Sequence, residues 1–251
     1  MKISILTASP SGSPWPFDFD DSNWQTWSGW DFNIKCFNWT VDRRTAYIPD
    51  DATSIFRAYN LLSENPAGDI LCFLHDDARV LSKIWVSKIG DFFPRHPEAG
   101  VVGLVGSDRM VPNPLYPLLY ANGEEHYYGK LIQGNVTKEF QPVITVSTWK
   151  RFHLPGLYKE VVAVDGFCFF IRKEVLEKVG GFDEKTYDRD GPCFHMYDID
   201  LCFEARKAGY KNYVIGGILA QHLSLGKLDE GWHKARKIFI EKWGEKEIII
   251  Q

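Results

Sequence analysis

The sequence predicts an α/β fold, a mostly parallel sheet flanked by helices, and three observations carry that expectation. Short apolar runs of strand length, at residues 3–7, 69–74 and 100–105, alternate with helical patterns at 52–62 and 82–93, as successive β-α units do. The run from Ile70 to Leu74 is apolar at every position, which suits a strand buried on both faces. Downstream helical patterns stop at glycines, one at Gly180-Gly181 and one at Gly209, the residues suited to a left-handed cap.

Taken in order, residues 3–7 read as the first buried strand and residues 9–16, rich in Ser, Pro and Gly, as a loop. Residues 17–31 are acidic and aromatic, with Trp24, Trp27 and Trp30 three apart; they either pack an insertion onto the sheet or form a stacking platform for a sugar ring. Residues 33–37 look like a second strand. Ile55, Phe56, Tyr59 and Leu62 share a helical face. The central strand runs to Leu74 and ends in His75-Asp76-Asp77, and Ser82 is placed to cap the next helix, which carries Ile84, Trp85, Ile89 and Phe92 or Phe93. Residues 112–152 are irregular, with a hairpin at 143–149. Residues 161–171 are strand-like, 173–179 and 197–208 helical, and 212–215 a short strand. A terminal helix at 229–243 aligns Trp232, Ala235, Phe239 and Trp243, and its Lys234, Arg236, Lys237 and Lys242 read as a solvated face balanced by Glu230, Glu241 and Glu245. The whole of 1–251 is expected to form one domain, with halves at 1–106 and 107–251.

Composition narrows the function. With 251 residues, 45% hydrophobic and 25% charged, the chain can bury a full core. A net charge of -4 argues against nucleic acid as the partner. No apolar run approaches the roughly 20 residues that span a bilayer, and the start is too short for a signal peptide. The five cysteines (Cys36, Cys72, Cys168, Cys193 and Cys202) form no C-x-x-C pair, which points to a reduced, cytoplasmic protein.

In open α/β sheets ligands sit beyond the carboxyl ends of the strands, so a site is expected at His75-Asp76-Asp77. Adjacent carboxylates there serve either as turn caps or as oxygen ligands of a divalent cation. Asp198 opens a helix on the face of Leu201, Cys202 and Ala205; it therefore points inward, either as a cap or as a general base. Asp200 lies about 200° around the helix and suits structural hydrogen bonds. His222 follows an apolar run and is either a structural histidine or a metal ligand. His195, one turn before Asp198, can line the same pocket; His75, His126 and His153 have no assignment from chemistry alone. There is no P-loop, no G-x-S-x-G and no G-x-G-x-x-G, so those nucleotide and hydrolase readings fail.

Four segments in this order resemble the family 2 glycosyltransferases of the GT-A fold, in the bacterial-type subgroup whose acidic motif follows a His. They are AYNLLSENPAGDILCFLHDDARV from Ala58, VDGFCFFIRKEVLEKVGGFD from Val164, FHMYDIDLCFEARKAGY from Phe194, and HLSLG from His222. The resemblance covers about two thirds of the chain. It implies a Rossmann-like nucleotide-sugar-binding half, residues 1–106, and a smaller acceptor-side and catalytic half, 107–251.

The resemblance also implies roles. Asp77 matches the last Asp of an Asp-x-Asp motif that holds Mn2+ or Mg2+, His222 a late His that completes the metal shell, and Asp198 the base. Thr7, Ala8 and Asp76 fall to the donor nucleotide, and Asp165, Gly166 and His195 to the substrate side. His75 stands where many members have the first Asp, and Tyr197 replaces the Glu of a Glu-Asp pair. Asp42 is a displaced substitute for the acid that usually follows the second strand. The implied reaction is inverting transfer from a UDP-, GDP- or dTDP-linked sugar to a glycan or lipid-linked hydroxyl, by a cytoplasmic enzyme with room for peripheral membrane association. A sugar nucleotidyltransferase and a silent nucleotide-sugar-binding protein are the alternatives; the first would want Arg or Lys in residues 9–16, which have neither.

Overall fold

The computed structural model describes residues 2–10, 40–48, 54–66, 68–82, 84–110, 126–129, 131–133, 158–224, 228–246 and 248–250. Trp24, Trp27, Trp30, Cys36, His153, the second strand expected at 33–37 and the hairpin expected at 143–149 lie outside the described residues.

The strands are β1 (Lys2–Pro10), β2 (Thr40–Ile48), β3 (Ile70–Leu74), β4 (Ala78–Val80), β5 (Ala99–Gly103), β6 (Val105–Ser107), β7 (Arg109–Met110), β8 (Tyr127–Gly129), β9 (Leu131–Gln133), β10 (Tyr158–Val161), β11 (Ala163–Val164), β12 (Cys168–Arg172), β13 (Lys211–Ile215), β14 (Ala220–His222) and β15 (Ile248–Ile249). The helices are α1 (Ile55–Leu62), α2 (Trp85–Arg95), α3 (Lys173–Val179), α4 (Glu184–Tyr187), α5 (Tyr197–Lys207) and α6 (Glu230–Trp243).

A seven-stranded sheet in the order β10-β13-β5-β12-β3-β1-β2 forms the core. β2, β1, β3, β5 and β13 run one way; β12 and β10 run the other. The expected single run at 161–171 is thus three strands, and β12 is wedged antiparallel between β3 and β5. The central strands are wholly buried, as the unbroken apolar runs required. Two small three-stranded sheets, β11-β6-β8 and β4-β14-β9, lie beside it.

Two expectations are corrected. Ser82 does not cap α2: its hydroxyl accepts from Leu219 N at 2.7 Å, and α2 begins without a side-chain cap. β2 extends to Ile48, so Asp42 lies inside the strand, opposite Ser4, and not after it. Other local signals behave as read. Ser54 caps α1 by accepting from Arg57 N, and α3 ends at Gly180 with φ 88°, a conformation that costs glycine nothing.

Asn212, wholly buried on β13, fastens α5 to the sheet. Its amide donates to Val162 O and Cys202 O, both at 2.9 Å, and accepts from Val101 N at 3.0 Å. Among the described residues no helix is long and apolar enough to cross a membrane.

Candidate active site

The site forms at the carboxyl end of β3. His75 N donates to Phe167 O at 2.9 Å, tying the motif to the start of β12, and Ala78 N donates back to His75 O at 3.2 Å to close the turn. β14 then pairs antiparallel with β4, setting His222 opposite Ala78. The ladder continues with Leu223 N to Asp77 O, 3.0 Å, and Ser224 N to the Asp77 carboxylate, 3.0 Å. Phe167 stacks on the His222 ring with centroids 5.4 Å apart.

Three side chains meet there. His222 Nε2 is 3.2 Å from Asp77 Oδ1 and 3.2 Å from His75 Nδ1. One ligand atom from each of His75, Asp77 and His222 lies within 4.8 Å of the others. Two imidazole nitrogens and a carboxylate oxygen so close can converge on one divalent ion, which binds such ligands at about 2.0–2.2 Å.

The electrostatics agree with the geometry. Burial raises Asp77, but the hydrogen bond and charge of His222, with His75 and Ser224, outweigh it and hold the carboxyl well below the usual range. Burial lowers His222, and Asp77, Asp165 and Asp76 more than reverse this. Burial and the neighbouring His222 pull His75 down to about 3, so its ring is neutral.

The second half of the site is the start of α5. Met196 precedes it with φ 68°, a left-handed conformation unusual for a side-chain-bearing residue, and turns the chain sharply into the helix. Asp198 is half-buried in the first turn, while Leu201, Cys202 and Ala205 are buried. Burial and the adjacent Asp165 push Asp198 up to about 7, against the lowering influence of the Ile199 and Gly166 backbone. Gly166 is needed here for space. A Cβ at that position would come 2.7 Å from Tyr197 Cζ and 2.8 Å from Asp198 Oδ2, contacts that real Cβ atoms do not make.

The other expected residues distribute unevenly. Thr7 and Ala8 sit beyond Leu6 of β1, whose partner on β3 is Phe73, so they share the carboxyl edge with His75. The buried Thr7 hydroxyl has no hydrogen-bond partner among the described residues. Asp76 is half-buried in the same turn as Asp77. Asp165 accepts from Phe167 N at 3.2 Å. His195 is 3.3 Å from Asp229, the residue that caps α6.

Asp200 is structural, as its phase suggested. It is buried and bonds Tyr187 at 3.0 Å, Trp243 Nε1 at 2.7 Å and Lys242 Nζ at 3.0 Å. Lys242 is therefore no part of a solvated face: its ammonium also meets Asp183 at 2.7 Å and Glu204 at 3.0 Å. Sequence reasoning also missed that His75 joins the cluster of Asp77 and His222. The available signal was its place two residues before Asp77 at the end of a buried strand, spacing that keeps both on one side of the turn.

Similarity to known proteins agrees with this architecture. A family model described as "Glycosyltransferase like family" matches residues 32–249. An uncharacterized protein, y4gI of Sinorhizobium fredii (strain NBRC 101917 / NGR234), is 27% identical over 173 residues, 68% of this chain and 17% of that protein. The O-antigen biosynthesis protein RfbC of Myxococcus xanthus is 25% identical over 128 residues, 50% of this chain and 9% of its own length. The chain thus spans a small part of these relatives.

Among solved structures, GalNAc-T7 with UDP, GalNAc and Mn2+ superposes with a TM-score of 0.51 at 11% identity, covering 96% of this chain and 48% of that one. S. aureus TarS 1-349 in complex with UDP-GlcNAc gives 0.50 at 11% identity, covering 90% and 60%. These likenesses show the fold, that of the GT-A glycosyltransferases. With the family model spanning most of its length, the chain belongs to the glycosyltransferase-like family.

Proposed function

We propose that the chain is a metal-dependent, inverting glycosyltransferase that moves a sugar from a UDP-, GDP- or dTDP-linked donor to a hydroxyl of a glycan, polysaccharide or glycolipid precursor. Residues 1–106 bind the donor and 107–251 carry the acceptor side. The observation that carries this reading is a pair of unlike carboxylates on either side of the His75–Tyr197 contact. Asp77 is held ionised among histidines; Asp198 is pushed up to about 7, where a general base works best.

In this reading Asp198 accepts the acceptor's proton as its oxygen attacks the anomeric carbon and the bond to the nucleoside diphosphate breaks. His75, Asp77 and His222 hold Mn2+ or Mg2+, which when bound supplies positive charge against the departing diphosphate. Thr7, Ala8 and Asp76 face the nucleotide. Asp165 keeps the base poised by its charge, and Gly166 leaves room for Tyr197 and Asp198. His195, held by Asp229, lines the acceptor side.

A thermal-shift screen of UDP, GDP and dTDP and their sugars, with and without Mn2+, tests the class and identifies the base. One nucleotide is expected to raise the melting temperature only when metal is present. No metal-dependent shift with any nucleotide would remove the reading.

Two variants test its parts. Asp77→Ala is expected to abolish Mn2+-dependent nucleoside diphosphate binding in calorimetry, and unchanged heats would sink the metal assignment. Gly166→Ala is expected to keep the circular dichroism spectrum but lose about tenfold or more in transfer rate, because the added methyl displaces the base. Wild-type turnover would show that the close approach is not used.

A further inference from the structure

This inference rests on the reading of His75, Asp77 and His222 as one cation site, and concerns what makes His75 a ligand and which ions the site prefers. The two nitrogens of His75 face different partners. Nδ1 looks into the cluster, 3.2 Å from His222 Nε2 and 3.9 Å from Asp77 Oδ1. Nε2, across the ring, is hydrogen-bonded to the Tyr197 hydroxyl.

A neutral imidazole has one N–H and one lone pair. If Nε2 carries the proton and donates to the Tyr197 oxygen, the Nδ1 lone pair is free for a metal. A partner of this kind on the far nitrogen is how ligating histidines are oriented. Tyr197 is itself firmly placed. It is buried, with its ring 5.6 Å from Tyr59 and 6.2 Å from Phe56, and it opens α5 directly before Asp198.

We propose that Tyr197 is the positioning residue that makes His75 a metal ligand through Nδ1, and that the resulting set of two imidazoles and one carboxylate selects first-row transition ions over Mg2+. Mg2+ is a hard ion that prefers oxygen ligands, whereas nitrogen donors strengthen binding along the series from Mn2+ to Co2+. The Tyr at 197 and the His at 75 are thus a matched pair. The same hydroxyl links the cation shell to the helix that bears the base.

The test measures binding of Mn2+, Co2+ and Mg2+ to the full chain by calorimetry, alone and with UDP or GDP, together with pulsed electron paramagnetic resonance of bound Mn2+. The wild type is expected to bind Co2+ and Mn2+ at least about tenfold more tightly than Mg2+, with two imidazole nitrogens coupled to Mn2+. Tyr197→Phe, which keeps the ring, is expected to weaken Mn2+ binding by about 10–100-fold and to lose one nitrogen coupling. His75→Asp is expected to flatten the preference over Mg2+, and adding Tyr197→Phe to it should change nothing more. Should Tyr197→Phe fail to fold, the ion preference of His75→Asp decides alone.

Unchanged Mn2+ affinity in Tyr197→Phe, or an ion preference that survives His75→Asp, overturns the proposal. If Asp77→Ala and His222→Ala still abolish binding in that case, the cation site stands without the role given to Tyr197. No metal binding by the wild type, with or without nucleotide, removes both.

Discussion

Asp198→Asn is expected to lower transfer by about 10²–10⁴-fold while leaving metal-dependent nucleotide binding intact. It should also make the protein more resistant to denaturant at alkaline pH. Asp198 is a half-buried carboxyl pushed up to about 7, first by burial and then by Asp165. As the proposed base Asp198 would act in its ionised form, so the wild-type rate should rise with pH and level off above about 7. Stability moves the other way. Between the ordinary carboxyl value near 4 and about 7 the folded state binds a proton that the unfolded state has lost, so stability falls as pH rises across that window. The Asn variant carries no such cost. Its denaturant midpoint should match the wild type near pH 4 and exceed it near pH 8. Near-normal turnover would end the base assignment, and a midpoint difference independent of pH would end the electrostatic account.

The largest stability effect is expected from Lys242→Met. The ammonium sits among Asp183, Asp200 and Glu204, and its own charged state is favoured by them despite burial. Removing it leaves Asp200, only 2% exposed, with its charge uncompensated. Losing one partner of a buried pair costs about 3–5 kcal/mol, a large part of the stability of a typical domain. Burial already raises Asp200 against the pull of Lys242, Trp243 and Tyr187. Without Lys242 it rises further, so the folded variant takes up a proton more readily in mild acid. The loss should therefore be smaller near pH 5 than near pH 8. Urea unfolding at the two values checks this; equal losses, or a loss under about 1 kcal/mol, would mean the cluster behaves as a surface pair.

What could be read from the chain follows from the range of each interaction. The apolar runs behind β3 and β5 and the glycine after α3 are local signals, and they hold. The helical phase separated Asp198 from Asp200 in direction but did not foresee that Tyr187, Lys242 and Trp243 would cover the far face and bury Asp200 the more deeply. Strand direction is not local: β12 and β10 run against the others although nothing in their composition says so. Lys242 looked solvated because its partners lie 42 and 59 positions away. The hydroxyl of Ser82 was drawn off its helix by Leu219, 137 positions distant. His75 was assigned no chemistry for the same reason, since its imidazole gains meaning only from Tyr197 and His222.

The pairing of β14 with β4 bears on how the protein is made. His75 and His222 are 147 positions apart, so the cluster of His75, Asp77 and His222 exists only once β14 has been synthesised. A nascent chain that has passed Asp77 has one wall of the site and no other. Long-range pairing of this kind closes late. A chain stalled before β14 would lack this cluster however well its first strands had formed.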